Sequence, residues 1–192
     1  MKILGFAGSL RSGSFNKKAL RVALQGAKEV GAKIEELDLR ELNIPLYDGD
    51  VEVKDGLPKS VKILKKKIEE ADALLIASPE YNNSMSGVLK NVIDWASRKG
   101  EEGTNVFNDK PTALITASPG RFGGLKASIA FRPVARTLGM QLMNEEVQVA
   151  NAGDVFEGDK IVNERVEGQL IDIGKSLVEW TIRLKKPQVQ TK

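Results

Sequence analysis

Short apolar runs recur along the chain and predict the strands of a sheet. A first strand is expected at Lys2–Ala7, and the runs at Ala73–Ala77 and within Thr112–Ala117 are continuous in apolar residues. Continuous runs, rather than alternation of apolar and polar positions, are typical of parallel strands covered on both faces. Two further strands are expected at Lys33–Leu39 and Gln141–Val149.

Longer segments with apolar residues three and four positions apart separate these strands and predict helices. Five are expected, at Phe15–Val30, from near Pro58, over Gly87–Arg98, after Gly124, and along the apolar stripe from Val162 to Leu184. Pro133 is expected to kink or restart the fourth helix, because proline lacks an amide hydrogen. The stretch Arg40–Gly56, with one proline and two Asp-Gly pairs, is expected to be irregular.

Strands that alternate with helices predict an α/β domain with a doubly wound parallel sheet between two layers of helices. The length of 192 residues fits one domain over positions 1–192. In such sheets, ligands bind beyond the carboxyl ends of the strands. The loops that follow the strands are therefore the places to look for chemistry.

The composition excludes several kinds of site. The chain has no cysteine and no histidine, which rules out disulfides, Cys/His zinc sites and catalytic triads that contain histidine. No metal site is expected. A net charge of +3 and an aromatic content of 5% do not favour a nucleic-acid partner. The chain shows neither a secretory leader nor an apolar run of about 18 residues, so no membrane partner and a cytoplasmic location are expected.

The first candidate loop, residues 8–16, joins the first strand to a helix. It reads Gly-Ser-Leu-Arg-Ser-Gly-Ser-Phe-Asn, and hydroxyl groups, glycines and Arg11 therefore lie at a helix N-terminus. Free N–H groups and the helix dipole favour an anion there, and arginine pairs well with phosphate. The alternative is a plain Gly/Ser turn in which Ser14 caps the helix. The loop does not match a phosphate-transferring type, because a Gly-Lys-Ser/Thr sequence and a cysteine are both absent.

Two more loops follow the other apolar runs. Residues 78–87 read Ser-Pro-Glu-Tyr-Asn-Asn-Ser-Met-Ser-Gly and hold an aromatic ring, two amides and a carboxylate that suit a heterocycle. Residues 118–124 read Ser-Pro-Gly-Arg-Phe-Gly-Gly, and their glycines permit close backbone approach to a planar ligand. Each loop alone is also compatible with an ordinary turn. Together, at one end of one sheet, a phosphate site and a heterocycle site describe a mononucleotide.

These segments, with Gly87-Val-Leu-Lys-Asn-Val-Ile-Asp-Trp95, resemble the NAD(P)H-dependent FMN reductase family. The family has a flavodoxin-like fold and includes azoreductases, quinone reductases and chromate reductases. The resemblance covers about Lys2–Gly139 and implies FMN as cofactor and NADPH or NADH as hydride donor. It further implies a quinone, azo compound, flavin or metal oxyanion as small-molecule electron acceptor. A homodimer or homotetramer is also expected from it.

The resemblance also assigns cofactor-binding residues, and it implies no catalytic side chain because the flavin carries the chemistry. The phosphate ligands it implies are Ser9, Arg11, Ser14 and Asn16, with Phe15 beside them offering mainly backbone. The loop beside the flavin ring and ribityl chain corresponds to Pro79, Glu80, Tyr81 and Asn82, and a third contact to Ser118, Gly120 and Arg121.

The chain departs from the family pattern at two positions. Ser86 stands where the family usually has proline, so the second loop is expected to be more mobile. Lys126 stands where the family commonly has arginine, which affects the choice between NADH and NADPH and a possible subunit contact. Two alternative functions stay open: a flavodoxin-type electron carrier without its own substrate, and a regulatory or scaffold domain that keeps the fold without redox chemistry. Such carriers tend to be acidic, whereas this chain carries a net charge of +3.

Overall fold

The computed structural model of the protein describes residues 1–99, 103 and 105–185. Its strands are β1 (Lys2–Ala7), β2 (Lys33–Leu37), β3 (Ala73–Ser78), β4 (Glu80–Tyr81), β5 (Ser84–Met85), β6 (Pro111–Ala117), β7 (Gln141–Val149), β8 (Phe156–Glu157) and β9 (Lys160–Ile161). Five of them form a parallel sheet in the order β2-β1-β3-β6-β7. The remaining four form two antiparallel hairpins, β4–β5 and β8–β9.

Helices cover both faces of the parallel sheet. They are α1 (Phe15–Glu29), α2 (Leu39–Leu42), α3 (Gly49–Asp55), α4 (Lys59–Glu70), α5 (Gly87–Ala96), α6 (Leu125–Thr137), α7 (Ala152–Val155) and α8 (Glu164–Lys185). One core cluster joins α1 and α8 to one face of the sheet, and a second joins α4, α5 and α6 to the other. This three-layer arrangement is the flavodoxin-like α/β fold, so the fold expected from the sequence is confirmed.

The buried strands explain why the apolar runs are continuous. Every residue of β3 and β6 is buried, and successive side chains point into opposite clusters, as Leu74 and Leu75 do. Glycines bring α1 and α8 unusually close on their side. A Cβ on Gly174 would lie 1.9 Å from the carbonyl oxygen of Ala23, and one on Gly26 would lie 2.1 Å from that of Ile171. Neither glycine can carry a side chain in this packing.

The expectation that Arg40–Gly56 is irregular is wrong in part, because α3 lies within it and α2 overlaps its start. Asp38 accepts a hydrogen bond from the N–H of Arg40 and caps α2, and β2 therefore ends at Leu37 rather than at Leu39. Asp48 accepts from the N–H of Asp50 and caps α3. α3 has no buried residue, so apolar periodicity could not reveal it.

Pro133 does not restart the helix, which was one of the two expected outcomes, since α6 runs through it from Leu125 to Thr137. Proline removes the hydrogen bond to the carbonyl four residues earlier, which belongs to Ile129. Ile129 is 58% exposed, so water can reach this face of the helix and replace the missing donor. The hydroxyl of Thr137 in turn donates to the carbonyl of Pro133 at 2.9 Å.

The last helix is shorter than its apolar stripe. α8 begins at Glu164, and Val162 and Leu184 at the ends of the stripe are exposed. Leu170 and Leu177 in the middle are fully buried. Within the described part of the chain, no helix is long and apolar enough to cross a membrane.

Candidate functional site

Three loops meet where the central strands end. The first loop follows β1 and spans residues 8–14, because α1 begins at Phe15. The second loop follows β3 and spans residues 79–86, because β3 ends at Ser78 and α5 begins at Gly87. The third loop, residues 118–124, follows β6. Since β1, β3 and β6 are neighbours and parallel, their carboxyl ends lie side by side. The expected meeting of the three loops at one sheet edge is therefore confirmed.

The first loop presents unused backbone donors at the start of α1. Among the described residues, the N–H groups of Ser12, Gly13 and Ser14 have no hydrogen-bond acceptor. Arg11 is exposed and makes no ion pair within the described chain. Nothing lies within 4 Å of the place where a Cβ on Gly13 would stand. Free donors, open space, a cation and the positive end of a helix dipole together suit a phosphate group.

The buried polar residues of the first loop hold its shape. The hydroxyl of Ser9 accepts from the N–H of Arg11 at 3.4 Å. The hydroxyl of Ser14 accepts from the N–H of Lys17 at 3.4 Å and caps α1. The ring of Phe15 stacks on Phe156 with 6.0 Å between centroids. The side chain of Phe15 is therefore used for packing, and a contact of its backbone with the phosphate stays a prediction.

Asn16, in the first turn of α1, links this helix to the end of β6. Its amide nitrogen donates to the carbonyl of Ala117 at 2.9 Å, and its amide oxygen accepts from the N–H of Ala117 at 2.9 Å. Asn16 is 3% exposed. Its side-chain amide is thus engaged with the end of β6, which leaves its backbone N–H as the group available to a phosphate.

Ser86 links the first loop to the second. Its hydroxyl donates to the carbonyl of Gly8 at 2.5 Å and accepts from the N–H of Leu89 at 3.1 Å, so it also caps α5. Ser86 is fully buried. A proline here would make neither bond. This departure from the family pattern therefore adds a tether to the second loop.

The second loop contains a tight hairpin that sequence patterning did not indicate. β4 and β5 pair around Asn82 and Asn83, whose φ angles are 50° and 64°. Two positive φ angles in a two-residue connection are typical of a type I′ turn, which asparagine tolerates. The Asn-Asn pair was the available signal, but each strand has only two residues. The hairpin leaves Tyr81 about half exposed.

Glu80 and Lys126 link the second loop to α6, the helix that follows the third loop. The carboxylate of Glu80 accepts from the N–H of Lys126 at 2.9 Å, in the first turn of α6. The Lys126 ammonium donates to the side-chain oxygen of Asn83 at 2.6 Å. A carboxylate at a helix N-terminus is stabilised by the helix dipole. Glu80 therefore caps α6, and the pair fixes the hairpin against that helix.

The third loop is held mainly by its backbone. The carbonyl of Ser118 accepts from the N–H of Ala152 at 3.0 Å, and the carbonyl of Gly120 accepts from the N–H of Asn151 at 3.1 Å. The hydroxyl of Ser118 accepts from the N–H of Gly120 at 3.1 Å. Arg121 is exposed and lies 4.6 Å from the ring centroid of Phe122.

The candidate residues therefore divide into two groups. Those buried in the loop framework are Ser9, Ser14, Asn16 and Pro79, while Phe15, Glu80 and Ser118 are partly buried; those exposed at the surface are Arg11, Tyr81, Asn82, Gly120 and Arg121. Side chains that sequence reasoning did not include join the loops, chiefly Ser86 and Lys126. Ser86 carried a signal, since a serine before an apolar helical segment is a favoured N-cap. The assignment of the twelve residues to cofactor binding stays a prediction.

An ion pair beside the first loop perturbs one carboxylate. The ammonium of buried Lys17 lies 2.9 and 2.8 Å from the two oxygens of Asp38. Burial raises the pKa of Asp38, but hydrogen bonds from the Lys17 ammonium and the N–H of Arg40 outweigh it and hold the pKa below its ordinary value. Asp38 is thus a stable anion at neutral pH.

Comparisons with known proteins agree with this geometry. A model of the family described as NADPH-dependent FMN reductase matches residues 1–154. Over 191 residues the chain is 41% identical to an NAD(P)H-dependent FMN reductase of Pseudomonas aeruginosa, covering 96% of this chain and 97% of that protein. Over 154 residues it is 41% identical to an NAD(P)H:quinone oxidoreductase of Solanum tuberosum, covering 79% of this chain and 76% of that protein.

A solved structure shows the same fold in a related enzyme. FerB, a flavoenzyme NAD(P)H:(acceptor) oxidoreductase from Paracoccus denitrificans, superposes with a TM-score of 0.78 at 30% identity, covering 95% of this chain and 97% of that chain. The family, the enzyme class and the use of FMN and NAD(P)H that the sequence predicted are confirmed. The chain belongs to the NADPH-dependent FMN reductase family.

Proposed function

We propose that this protein transfers a hydride from NAD(P)H to bound FMN and then reduces a small-molecule acceptor, with quinones as the first class to test. Family membership supports the flavin and the hydride donor. The names of several relatives as quinone oxidoreductases or quinone reductases favour quinones. Azo compounds, free flavin and metal oxyanions are further acceptors in the proposal.

The observation that supports the proposal is that hydrogen bonds join the first two loops to each other, and join α1 and the second loop to the elements on either side of the third, β6 and α6. Ser86 joins the first loop to the second, Glu80 joins the second to α6, and Asn16 joins α1 to β6. Each link uses a buried or partly buried side chain. Such a framework is preorganised, so it need not be rearranged when a ligand binds.

The donors in these loops fit FMN. The free N–H groups of residues 12–14 and the guanidinium of Arg11 suit its phosphate. Tyr81 is 48% exposed on the hairpin and offers an aromatic face to the flavin ring. Ser118, Gly120 and Arg121 of the third loop would supply further polar and backbone groups. When bound, FMN accepts two electrons as a hydride equivalent and passes them on, chemistry that no side chain of this protein supplies.

The protein's own residues would orient the flavin and stabilise its charge. Arg121, which is exposed, would stabilise the negative charge on a reduced flavin. The twelve residues named from the family resemblance form the proposed cofactor site, within one FMN-binding domain over residues 1–192. No dedicated acid or base is required from the protein.

Steady oxidation of NADPH or NADH with a quinone, in the absence of any partner reductase, tests the proposal. The expected result is turnover that depends on added FMN and on the quinone. A protein that binds FMN but shows no turnover would be a flavodoxin-type electron carrier. Reduction of the quinone that continues when both NADPH and NADH are omitted would contradict hydride transfer from a nicotinamide nucleotide.

The proposal includes two further expectations, on the oligomeric state and on the cellular location. A homodimer or homotetramer is expected, because soluble enzymes commonly form closed symmetric assemblies. Light scattering coupled to size-exclusion chromatography tests it, and a mass equal to one chain of 20.9 kDa would contradict it. A cytoplasmic location is tested by cell fractionation against a known cytoplasmic marker.

A further inference from the structure

Arg40 reaches the middle of the first loop from a different element. Its Nε donates to the carbonyl of Leu10 at 2.8 Å, and its Nη2 donates to the same oxygen. Arg40 lies in α2, which follows the edge strand β2. One guanidinium therefore supplies two donors to a single carbonyl that is 30 residues away along the chain.

The position of Arg40 is itself fixed by a partly buried ion pair between Lys17 and Asp38. The carboxylate of Asp38 accepts from the N–H of Arg40 at 2.9 Å, which caps α2. The same carboxylate binds the Lys17 ammonium with both oxygens. Lys17 lies in the first turn of α1 and is 7% exposed. Hydrogen bonds therefore connect the first loop to Arg40, Arg40 to Asp38, and Asp38 to Lys17 at the start of α1.

These hydrogen bonds fix the direction of the Leu10 carbonyl in the first loop. A phosphate site made of N–H groups requires the neighbouring carbonyls to point away from the anion, because carbonyl oxygens repel it. A carbonyl turned outward needs a donor of its own. For Leu10 that donor is Arg40, whereas the N–H groups of Ser12, Gly13 and Ser14 remain without acceptors in the described chain.

We infer that Arg40 is a positioning residue for the phosphate of FMN, acting through the carbonyl of Leu10. The inference rests on the proposed function, since it requires the FMN phosphate to bind the first loop. Arg40 need not touch the phosphate. Its two donors hold the loop in the conformation that presents the free N–H groups, and Asp38 and Lys17 hold Arg40 in turn.

The decisive readout is the ratio of the affinities for FMN and riboflavin, because these ligands differ only by the phosphate. Flavin-free protein is titrated with each, and the quenching of flavin fluorescence is followed. Arg40→Ala should weaken FMN binding about tenfold, as expected for loss of charge-assisted hydrogen bonds, and change riboflavin binding less than about twofold. Arg40→Lys should recover only part of the loss, because an ammonium keeps the charge but not the planar pair of donors.

Arg21→Ala is the matched control. Arg21 is likewise a surface arginine that joins two elements, α1 and β2, through Glu36 at 3.0 and 2.9 Å. Among the described residues it forms no hydrogen bond to the first loop. It should leave the affinity ratio unchanged. The ³¹P resonance of bound FMN gives a second readout, which Arg40→Ala should shift and Arg21→Ala should not.

Three results would overturn the inference. In the first, Arg40→Ala leaves the ratio unchanged while Arg11→Ala lowers it. In the second, Arg40→Lys matches the original protein, which would assign the effect to charge alone. In the third, Arg40→Ala weakens both flavins equally, which indicates a general structural role. If the unaltered protein binds FMN and riboflavin equally, the proposed phosphate site itself fails, and that outcome is visible before any variant is made.

Discussion

The hydroxyl of Ser86 donates to the carbonyl of Gly8 across 2.5 Å and accepts from the N–H of Leu89 at 3.1 Å. One fully buried side chain therefore joins the end of β1 to the start of α5. The first and second loops, which the proposed function places around FMN, are coupled through it.

Ser86→Ala should lower the free energy of unfolding by about 1–3 kcal/mol, because it removes a helix cap and leaves the carbonyl of Gly8 buried without its donor. Ser86→Pro restores the residue usual in the family and should weaken FMN binding as well as stability, since proline also removes the N–H that donates to Ser78 at 3.4 Å. Chemical denaturation and FMN titration measure the two effects. A proline variant as stable as the original protein would contradict the coupling.

Gly8→Ala should destabilise the protein by about 1–3 kcal/mol through overpacking. An added Cβ would lie 2.7 Å from both the hydroxyl of Ser86 and the Cβ of Leu89. Gly13→Ala is the control in the same loop, because nothing lies within 4 Å of its Cβ position. Thermal denaturation without FMN should show a loss for the first variant and little change for the second. Equal losses would mean that the loop, not the contact with Ser86, determines the cost.

Arg11→Ala should weaken FMN binding about 10- to 100-fold, the range expected for loss of a charge-assisted hydrogen bond to phosphate. Riboflavin binding should change little, because riboflavin has no phosphate. Arg165→Ala, a change at an exposed arginine in α8, serves as the control for net charge. An unchanged FMN affinity in Arg11→Ala would refute the assignment of the phosphate to the first loop.

The pair of Lys17 and Asp38 should make stability depend on pH. Since the pKa of Asp38 is held below its ordinary value of about 4, its contribution is fully present above that value and is lost as the pH falls through the lowered pKa. The difference in thermal midpoint between the original protein and Asp38→Asn should therefore be largest near pH 7 and shrink below about pH 4. A difference that stays constant down to pH 2 would show that the carboxylate charge contributes nothing.

Much of the fold was predictable because the parallel strands are buried on both faces. The apolar run Ala73–Ala77 and the segment Thr112–Ala117 mark β3 and β6 almost to the residue. From strand order in an α/β sheet it then follows that the loops after them meet at one edge.

What the sequence did not predict depends on contacts rather than on periodicity. α3 has no buried residue and depends on its cap, Asp48. The hairpin around Asn82 and Asn83 pairs only two residues in each strand. α6 continues past Pro133 because the missing hydrogen bond lies on an exposed face. For α3 and the hairpin the local signal is one or two polar residues, which hydrophobic patterning does not reveal.

The loops of the candidate site were predictable from the sequence, but the hydrogen bonds that join them were not. The glycines, serines and Arg11 of the first loop indicated an anion site from composition alone. The side chains that fix the loops, among them Ser86 and Arg40, act across 78 and 30 residues of sequence. Contacts of that range follow from the tertiary fold and leave no local pattern.

The absorbance spectrum of the protein with FMN tests the central claim most directly. The protein is mixed with FMN, freed of excess by gel filtration, and treated anaerobically with NADPH or NADH and then with a quinone. The flavin bands should be retained, bleach with at least one nucleotide and return when the quinone is added. A protein that retains no flavin, or whose flavin bands neither nucleotide bleaches, would contradict the central claim.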